Sequence, residues 1–301
     1  MRFQVTVPAS AGNAGPGFDS FGIAYALYNE VIVDTEKLGA LQVEGEGVAQ
    51  LQSGAANLVS LAMKVFSRET DRALPEHGLQ LVNRIPFGRG MGSSAAAIVG
   101  GMAAADALTG AQVSRDELLR LALKVENHPD NLSAAIHGGA VLTVFRDSVR
   151  GPFTCLQLPV PTEWRAVLFI PDQVSPTDEA RALLPNDVPR RHAIFNHSRV
   201  GLLVAAFLQG EPKHLEWAME DRLHQPYRAR LFPAMGRLIQ SAVAAGAWGS
   251  CLSGAGPTIL ALTAEGRTGA VSTALEETAQ SLGVSGRSLV LKIPGSGFRV
   301  Q

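Results

Sequence analysis

The chain has 301 residues, with 26 Lys and Arg against 27 Asp and Glu and a formal charge of −1. That length is one large or two ordinary domains, each able to bury a core, and it excludes a disulfide-framed miniprotein. Near-neutrality supplies no global field for a polyanion, so no nucleic acid and no membrane partner is expected, and any anion must be met locally. Only Lys37, Lys64, Lys124, Lys213 and Lys292 are lysines, which leaves few candidates for lysine-based phosphate chemistry. Cys155 and Cys251 lie far apart without C-x-x-C spacing, so neither a disulfide framework nor a zinc site is signalled. The longest small-apolar run, 95–105, stops at Asp106 and is too short to span a bilayer. A cytoplasmic location is expected.

The chain opens as sheet. Phe3, Val5 and Val7 alternate over residues 2–7, and the β-branched run Val31-Ile32-Val33 marks a second strand over 27–34. Between them, residues 8–19 form a Gly- and Pro-rich loop carrying the amide of Asn13 and the carboxylate of Asp19. Residues 93–108 read as a small-residue helix ended by Gly110. Ser114-Arg115-Asp116-Glu117 is a capping box that starts another helix, to about Val125. His128-Pro129-Asp130-Asn131 breaks the periodicity, and a short helix to Ile136, a Gly138-Gly139 turn and a strand over 140–145 follow. The stretch 151–161 is strand-like. From about Trp164 a second set begins: a strand at 166–170, then helices near 177–184, 190–208, 213–219 and 229–245. A strand at 249–252, a Gly loop at 253–257, a strand at 259–262, a helix at 268–282 and a strand at 288–293 complete it. This alternation is α+β, with expected domains at 1–160 and 161–301.

The most informative segment is Pro86-Phe87-Gly88-Arg89-Gly90-Met91-Gly92-Ser93-Ser94, where three glycines at alternate positions run into two hydroxyls and a helix. Glycines permit positive φ and close backbone approach, and a helix start offers unpaired N–H groups and a positive dipole end. This is an anion cradle, and a hydroxyl there can both cap the helix and ligate Mg²⁺. No Lys follows the last Gly, so it is not a Walker A loop. Ser253-Gly254-Ala255-Gly256-Pro257, between strands, is either a tight turn or a further anion-capping loop. His192 and His197, five apart, have a poor metal spacing and are expected to be surface or packing residues.

Three Gly loops in this order, with His128-Pro129-Asp130-Asn131 between the second and third, resemble the GHMP kinases, the family of galactokinase and of homoserine, mevalonate and phosphomevalonate kinases. The resemblance runs from Val7 to about Leu262. The first loop is similar to the homoserine kinase form Pro-Ala-Thr-Ser-Ala-Asn-Leu-Gly-Pro-Gly-Phe-Asp, with Gly12 and Ala14 as departures. The implied fold is the two-lobed α+β GHMP kinase fold, an N-terminal ribosomal-protein-like α/β domain followed by a C-terminal ferredoxin-like domain. The implied reaction moves the γ-phosphoryl of ATP to the hydroxyl of L-homoserine, giving O-phosphohomoserine on the path to threonine.

Residue by residue, the resemblance makes 86–94 (Pro86, Phe87, Gly88, Arg89, Gly90, Met91, Gly92, Ser93 and Ser94) the triphosphate cradle, with Gly254 of the third loop near it. Ser94 is the implied Mg²⁺ ligand. The second is a Glu shortly before the His-Pro-Asp-Asn motif: Glu126 if the register is that of position 126, absent if it is that of Lys124. Asn57 resembles the segment lining the nucleotide base or sugar and is equally a helix cap. Asn131 is expected to hold the reacting hydroxyl with His128 nearby, and Asp130 is not assigned as a base. A zwitterionic substrate calls for a carboxylate facing its ammonium and arginines facing its carboxylate. The implied set is Asn13, Asp19, Thr177, Arg181 and Arg228. The apolar stretch 202–207 suits core or a homodimer face, and a homodimer is expected. The alternatives are another GHMP small-molecule kinase and a non-catalytic ligand-binding member, the latter favoured only by Lys124.

Overall fold

The computed structural model describes residues 1–49, 57–148 and 151–301. Its first sheet is built on β1 (Arg2–Ala11) and β2 (Phe21–Asp34), paired antiparallel from Arg2↔Asp34 to Ala11↔Ile23 with a register shift at Pro8/Ala9. Val5, Val7, Ala9 and Ala11 bury one face of β1, so the strand expected over 2–7 continues through the first third of the expected 8–19 loop, to Ala11. β3 (Leu41–Gly45) lies parallel to β4 (Gly78–Asn83), which pairs with β2. β5 (Ala140–Phe145) pairs with the other end of β2 and with β6 (Phe153–Leu158). The chain returns at its end, where β11 (Arg299–Val300) pairs with β1.

Among the described residues, α2 (Ser93–Thr109) and α4 (Pro129–His137) pack on this sheet, and α1 (Leu58–Thr70) and α3 (Arg115–Ala122) pack on them. The capping box forms as expected, the Ser114 hydroxyl accepting from the Glu117 N–H at 3.1 Å. α2 packs on β1 through small side chains, which brings its N-terminus up against the first loop.

The second sheet has the order β10–β7–β9–β8, all antiparallel: β7 (Trp164–Pro171), β8 (Gly249–Leu252), β9 (Ile259–Ala264) and β10 (Gly286–Lys292). β7 is buried on both faces. Val167 and Phe169 face α9 (Met235–Ala244) and α10 (Thr268–Ser281), whereas Trp164, Ala166, Leu168 and Ile170 join the core of the first sheet. The remaining helices are α5 (Thr177–Ala182), α6 (Arg190–Gln209), α7 (Leu215–Ala218) and α8 (Gln225–Arg228).

One expectation changes here. The helix read over 229–245 starts only at Met235: residues 229–234, with Pro233 among them, form turns between α8 and α9. Within the apolar stretch 202–207, Leu203, Ala206 and Phe207 join the core, Phe207 fully buried with its ring centroid 5.1 Å from Trp164 and 5.5 Å from Phe21, while Leu202, Val204 and Ala205 are half-buried. Among the described residues no helix is long and apolar enough to cross a membrane.

Candidate active site

The three Gly loops pack on one another. Ser10 N–H donates to the Met91 carbonyl at 3.0 Å, Gly254 N–H to the Gly12 carbonyl at 2.9 Å, and Ser253 Oγ to the Gly90 carbonyl at 2.7 Å. Gly90 holds φ +72°, and a Cβ there would strike the Ser253 carbonyl oxygen, so the residue meets both the conformational and the steric demand. At Gly12 a methyl would collide with the Asn131 amide and the Asp130 carboxylate, which is how the first loop comes to lie directly on α4.

α2 begins without a side-chain cap. Gly92, at φ +69°, is the N-cap, and neither Ser93 nor Ser94 bonds the helix end, contrary to the capping role expected for the pair. A small hydroxyl side chain at the first two helical positions therefore remains free beside unpaired N–H groups. Beside them is a cavity of about 280 Å³ lined by residues 86–94 together with Asn13, Glu126, His128, Asn131, Thr177, Arg181 and Arg228. Val174, Pro176 and Ala255 complete the lining.

One model, for the GHMP kinases N terminal domain, matches residues 57–139, and another, for the GHMP kinases C terminal, matches 203–281. The chain is 45% identical over 285 residues to a homoserine kinase of Carboxydothermus hydrogenoformans, covering 93% of this chain and 90% of that one. It is 40% identical to a homoserine kinase of Synechocystis sp., with 100% and 98% covered. The crystal structure of homoserine kinase from Cytophaga hutchinsonii superposes with a TM-score of 0.86 at 28% identity, covering 100% of this chain and 97% of that one. The chain belongs to the GHMP kinase family.

Within this GHMP kinase the expected residues are not all at the cavity. Asn57 caps α1, its Oδ1 accepting from the Val59 and Ser60 N–H groups at 3.0 and 3.3 Å. Gly254 has its N–H engaged by Gly12, and Ala255 stands at the cavity instead. Arg89 turns its guanidinium away: Nε donates to the Pro171 carbonyl at 3.0 Å and Nη2 to the Asp172 carbonyl at 3.1 Å, tying the second loop to the end of β7. Lys124 points elsewhere as well, with Nζ 2.5 Å from Glu69 Oε2 in a different cavity. The carboxylate that faces the loop is that of Glu126. His128 Nδ1–H donates to its Oε1 at 2.8 Å, and this bond holds the imidazole pKa above its ordinary value against the opposing pull of burial.

Asn131 and Asp130 diverge although adjacent. Ser10 Oγ donates to Asn131 Oδ1 at 3.1 Å, which fixes Nδ2 as the donor side; Nδ2 is 3.4 Å from Asp130 Oδ1, which engages one of its two protons. Asp130 is fully buried and does not line the cavity; its carboxylate accepts the Asn13 N–H at 2.6 Å and the Asn131 N–H at 2.8 Å. Burial, reinforced by the charge of Asp19, raises its pKa to about 6. Asp130 is a clamp between the first loop and α4.

Asp19 and Arg181, expected to meet opposite ends of a substrate, meet each other: Nη1 to Oδ2 at 3.0 Å and Nη2 to Oδ1 at 2.6 Å. Arg228 differs. It is 2% exposed and has no carboxylate partner among the described residues. Burial, with the like charge of Arg181, lowers its pKa to about 10. Its Nη1 donates to the Gly254 carbonyl at 2.9 Å and to His224 Nδ1 at 3.0 Å, and its Nε has no partner. Sequence reading missed Phe18, whose ring lies 5.3 Å from the Arg181 guanidinium carbon and 5.5 Å from that of Arg228, and also His224. Neither belongs to a short motif that announces such a role. The Phe18-Asp19 pair within the first loop was the only available signal.

Proposed function

We propose that this GHMP kinase transfers the γ-phosphoryl of ATP to the side-chain hydroxyl of L-homoserine, releasing ADP and O-phospho-L-homoserine for threonine synthesis. The observation that carries the reading is Arg228: a buried guanidinium without a carboxylate, lining the same cavity as the N-terminus of α2. Burying an unpaired cation is costly, and a substrate carboxylate removes the cost. Mevalonate also has a carboxylate, but it has no ammonium to use Asp19, and a neutral sugar uses neither group.

The 86–94 loop and the first turn of α2 supply N–H donors and a positive dipole end to the triphosphate. Asn131, oriented by Ser10, presents Nδ2 toward the acceptor hydroxyl, and Asn13 and Thr177 close the amino-acid side. Asp130, held away from the cavity, is not positioned to take the proton. The site suits a catalyst that positions and neutralises, as phosphoryl transfer requires.

Ser94 and Glu126 line one cavity and offer two hard oxygen donors, a set that fits Mg²⁺ when phosphate oxygens and water complete its shell. Mg²⁺ bound there would neutralise charge on the triphosphate. Lys124, turned to Glu69, no longer favours a catalytically silent member.

The test is ATP consumption with L-homoserine, L-serine, mevalonate and galactose offered separately. Turnover with L-homoserine well above the other three supports the reading, and turnover with none of them would sink it.

A further inference from the structure

Arg228 is aimed by its surroundings rather than by a counter-ion. We propose that His224 is a positioning residue that turns Arg228 toward the carboxylate of the amino-acid substrate, a role that rests on the homoserine kinase reading above.

The imidazole of His224 is wholly buried. Its Nε2 faces two oxygens, the Gly15 carbonyl at 2.8 Å and Asp221 Oδ2 at 3.7 Å, and so carries the ring proton. Burial keeps the ring neutral, which leaves Nδ1 as a lone-pair acceptor directed at Arg228 Nη1, 3.0 Å away. The other Nη1 proton goes to the Gly254 carbonyl at 2.9 Å. Both Nη1 protons are thereby spent on the protein. Nε has no partner, and none is seen for Nη2 among the described residues. The Nε/Nη2 edge carries two parallel N–H groups, the donor fork that matches a carboxylate.

The imidazole is itself fixed. Asp221, buried, accepts the N–H groups of Leu223, His224 and Gln225 at 2.9, 2.9 and 2.7 Å, and the Asn196 amide at 2.7 Å. Asn196 Nδ2 is also 3.3 Å from the Pro16 carbonyl. His224 therefore links the first loop, through Gly15, to the arginine four residues along its own chain. The same loop carries Asn13 and Asp19, so the ammonium and carboxylate ends of the substrate pocket share one support.

Two replacements separate the two bonds of the ring. In His224→Asn the amide oxygen occupies the place of Nδ1 and still accepts from Arg228, while the bond to Gly15 is lost. In His224→Gln the amide nitrogen reaches the place of Nε2 and keeps Gly15, while Arg228 loses its acceptor. Steady-state kinetics of wild type and both variants would be measured with L-homoserine and with 3-aminopropan-1-ol, which has the ammonium and hydroxyl but no carboxylate. The expected result is a KM for L-homoserine raised at least tenfold in His224→Gln and less than threefold in His224→Asn. The KM for ATP should stay within twofold in both, and His224→Gln should lose nothing toward 3-aminopropan-1-ol. Equal losses in both variants, or a loss that also falls on 3-aminopropan-1-ol, would overturn the proposal.

A second measurement needs no variant. The ¹⁵N shifts of His224 in the wild-type protein should show protonated Nε2 and bare Nδ1, and a protonated Nδ1 would equally overturn it. Wild type that fails to turn over L-homoserine would instead bring down the functional reading and this role with it.

Discussion

The cavity has two walls made in different ways. On the side of α2 the groups that meet a ligand are backbone N–H donors, shaped by Gly88, Gly90 and Gly92 at positive φ, and the one guanidinium in that loop, Arg89, is spent on the carbonyls of Pro171 and Asp172. On the opposite side the proposed recognition groups are side-chain charges, Arg181 and Arg228 at the cavity and Asp19 behind Arg181, drawn from three distant segments. Backbone recognition suits a triphosphate that any kinase of this family must hold. On the proposed reading the side-chain charges select one small zwitterion, and they must be buried and aimed to do so. It follows that substitutions on the two walls should separate in the kinetics.

The largest separation is expected from Arg228→Gln. Truncating one partner of a buried, hydrogen-bonded charge pair costs about 2–5 kcal/mol, so kcat/KM for L-homoserine should fall by roughly 30-fold to more than a thousandfold. The KM for ATP should hold. A comparable rise in the KM for ATP would show that the two walls are not independent.

On the other wall, Ser94→Ala removes a hydroxyl that makes no capping bond, so thermal stability should be nearly unchanged. The rate should fall nonetheless, by analogy with loss of a single group that stabilises the transition state, on the order of a hundredfold in kcat. Calorimetric affinity for L-homoserine should survive. Unchanged turnover would remove Ser94 from the proposed metal site.

Asp130 lies behind both walls and gives a pH test. Its pKa is raised from 3.8 to about 6, so the folded state binds a proton more tightly than the unfolded chain. The stabilisation tied to that proton is complete below about 4 and lost as pH rises through about 6. Its size is at most about 3 kcal/mol, from a shift of roughly two units. Urea unfolding of wild type and Asp130→Asn between pH 4 and 7 should show the difference in stability shrinking toward the neutral end. A constant difference would mean that Asp130 is ionised throughout.

The two walls also differ in how far the sequence revealed them. Alternating glycines running into Ser93-Ser94 announce a cradle because φ and helix polarity are local properties. The alternation of β1 and the capping box at Ser114 were legible for the same reason. β3 and β11 were not, since Leu41–Gly45 and Arg299–Val300 are short, exposed edges stabilised by pairing with partners far along the chain. On the charged wall, resemblance supplied Asp19, Arg181 and Arg228 but not their mutual arrangement. That Asp19 and Arg181 pair, and that Arg228 stands alone against His224, depends on contacts across 162 residues and on a four-residue helix. The choice between Lys124 and Glu126 was open for a related reason: only the turn after α3 decides which of the two faces the cradle.

Phe18 sharpens the comparison at the smallest scale. Two guanidinium groups of like charge stand close enough for Arg228 to feel Arg181, and the Phe18 ring centroid lies 5.3 and 5.5 Å from their central carbons. Its electron-rich ring attracts both, and the His224 ring packs on it at a centroid distance of 5.5 Å. Phe18→Leu keeps most of the volume and loses the quadrupole. At about 0.5–1 kcal/mol for each of the two cation–π contacts, the KM for L-homoserine should rise roughly fivefold to 30-fold, with kcat and the KM for ATP unaltered. Phe18→Tyr should restore it. If Leu and Tyr are alike in KM, the ring acts as a spacer only, and the selectivity of this wall rests on hydrogen bonds and formal charge alone.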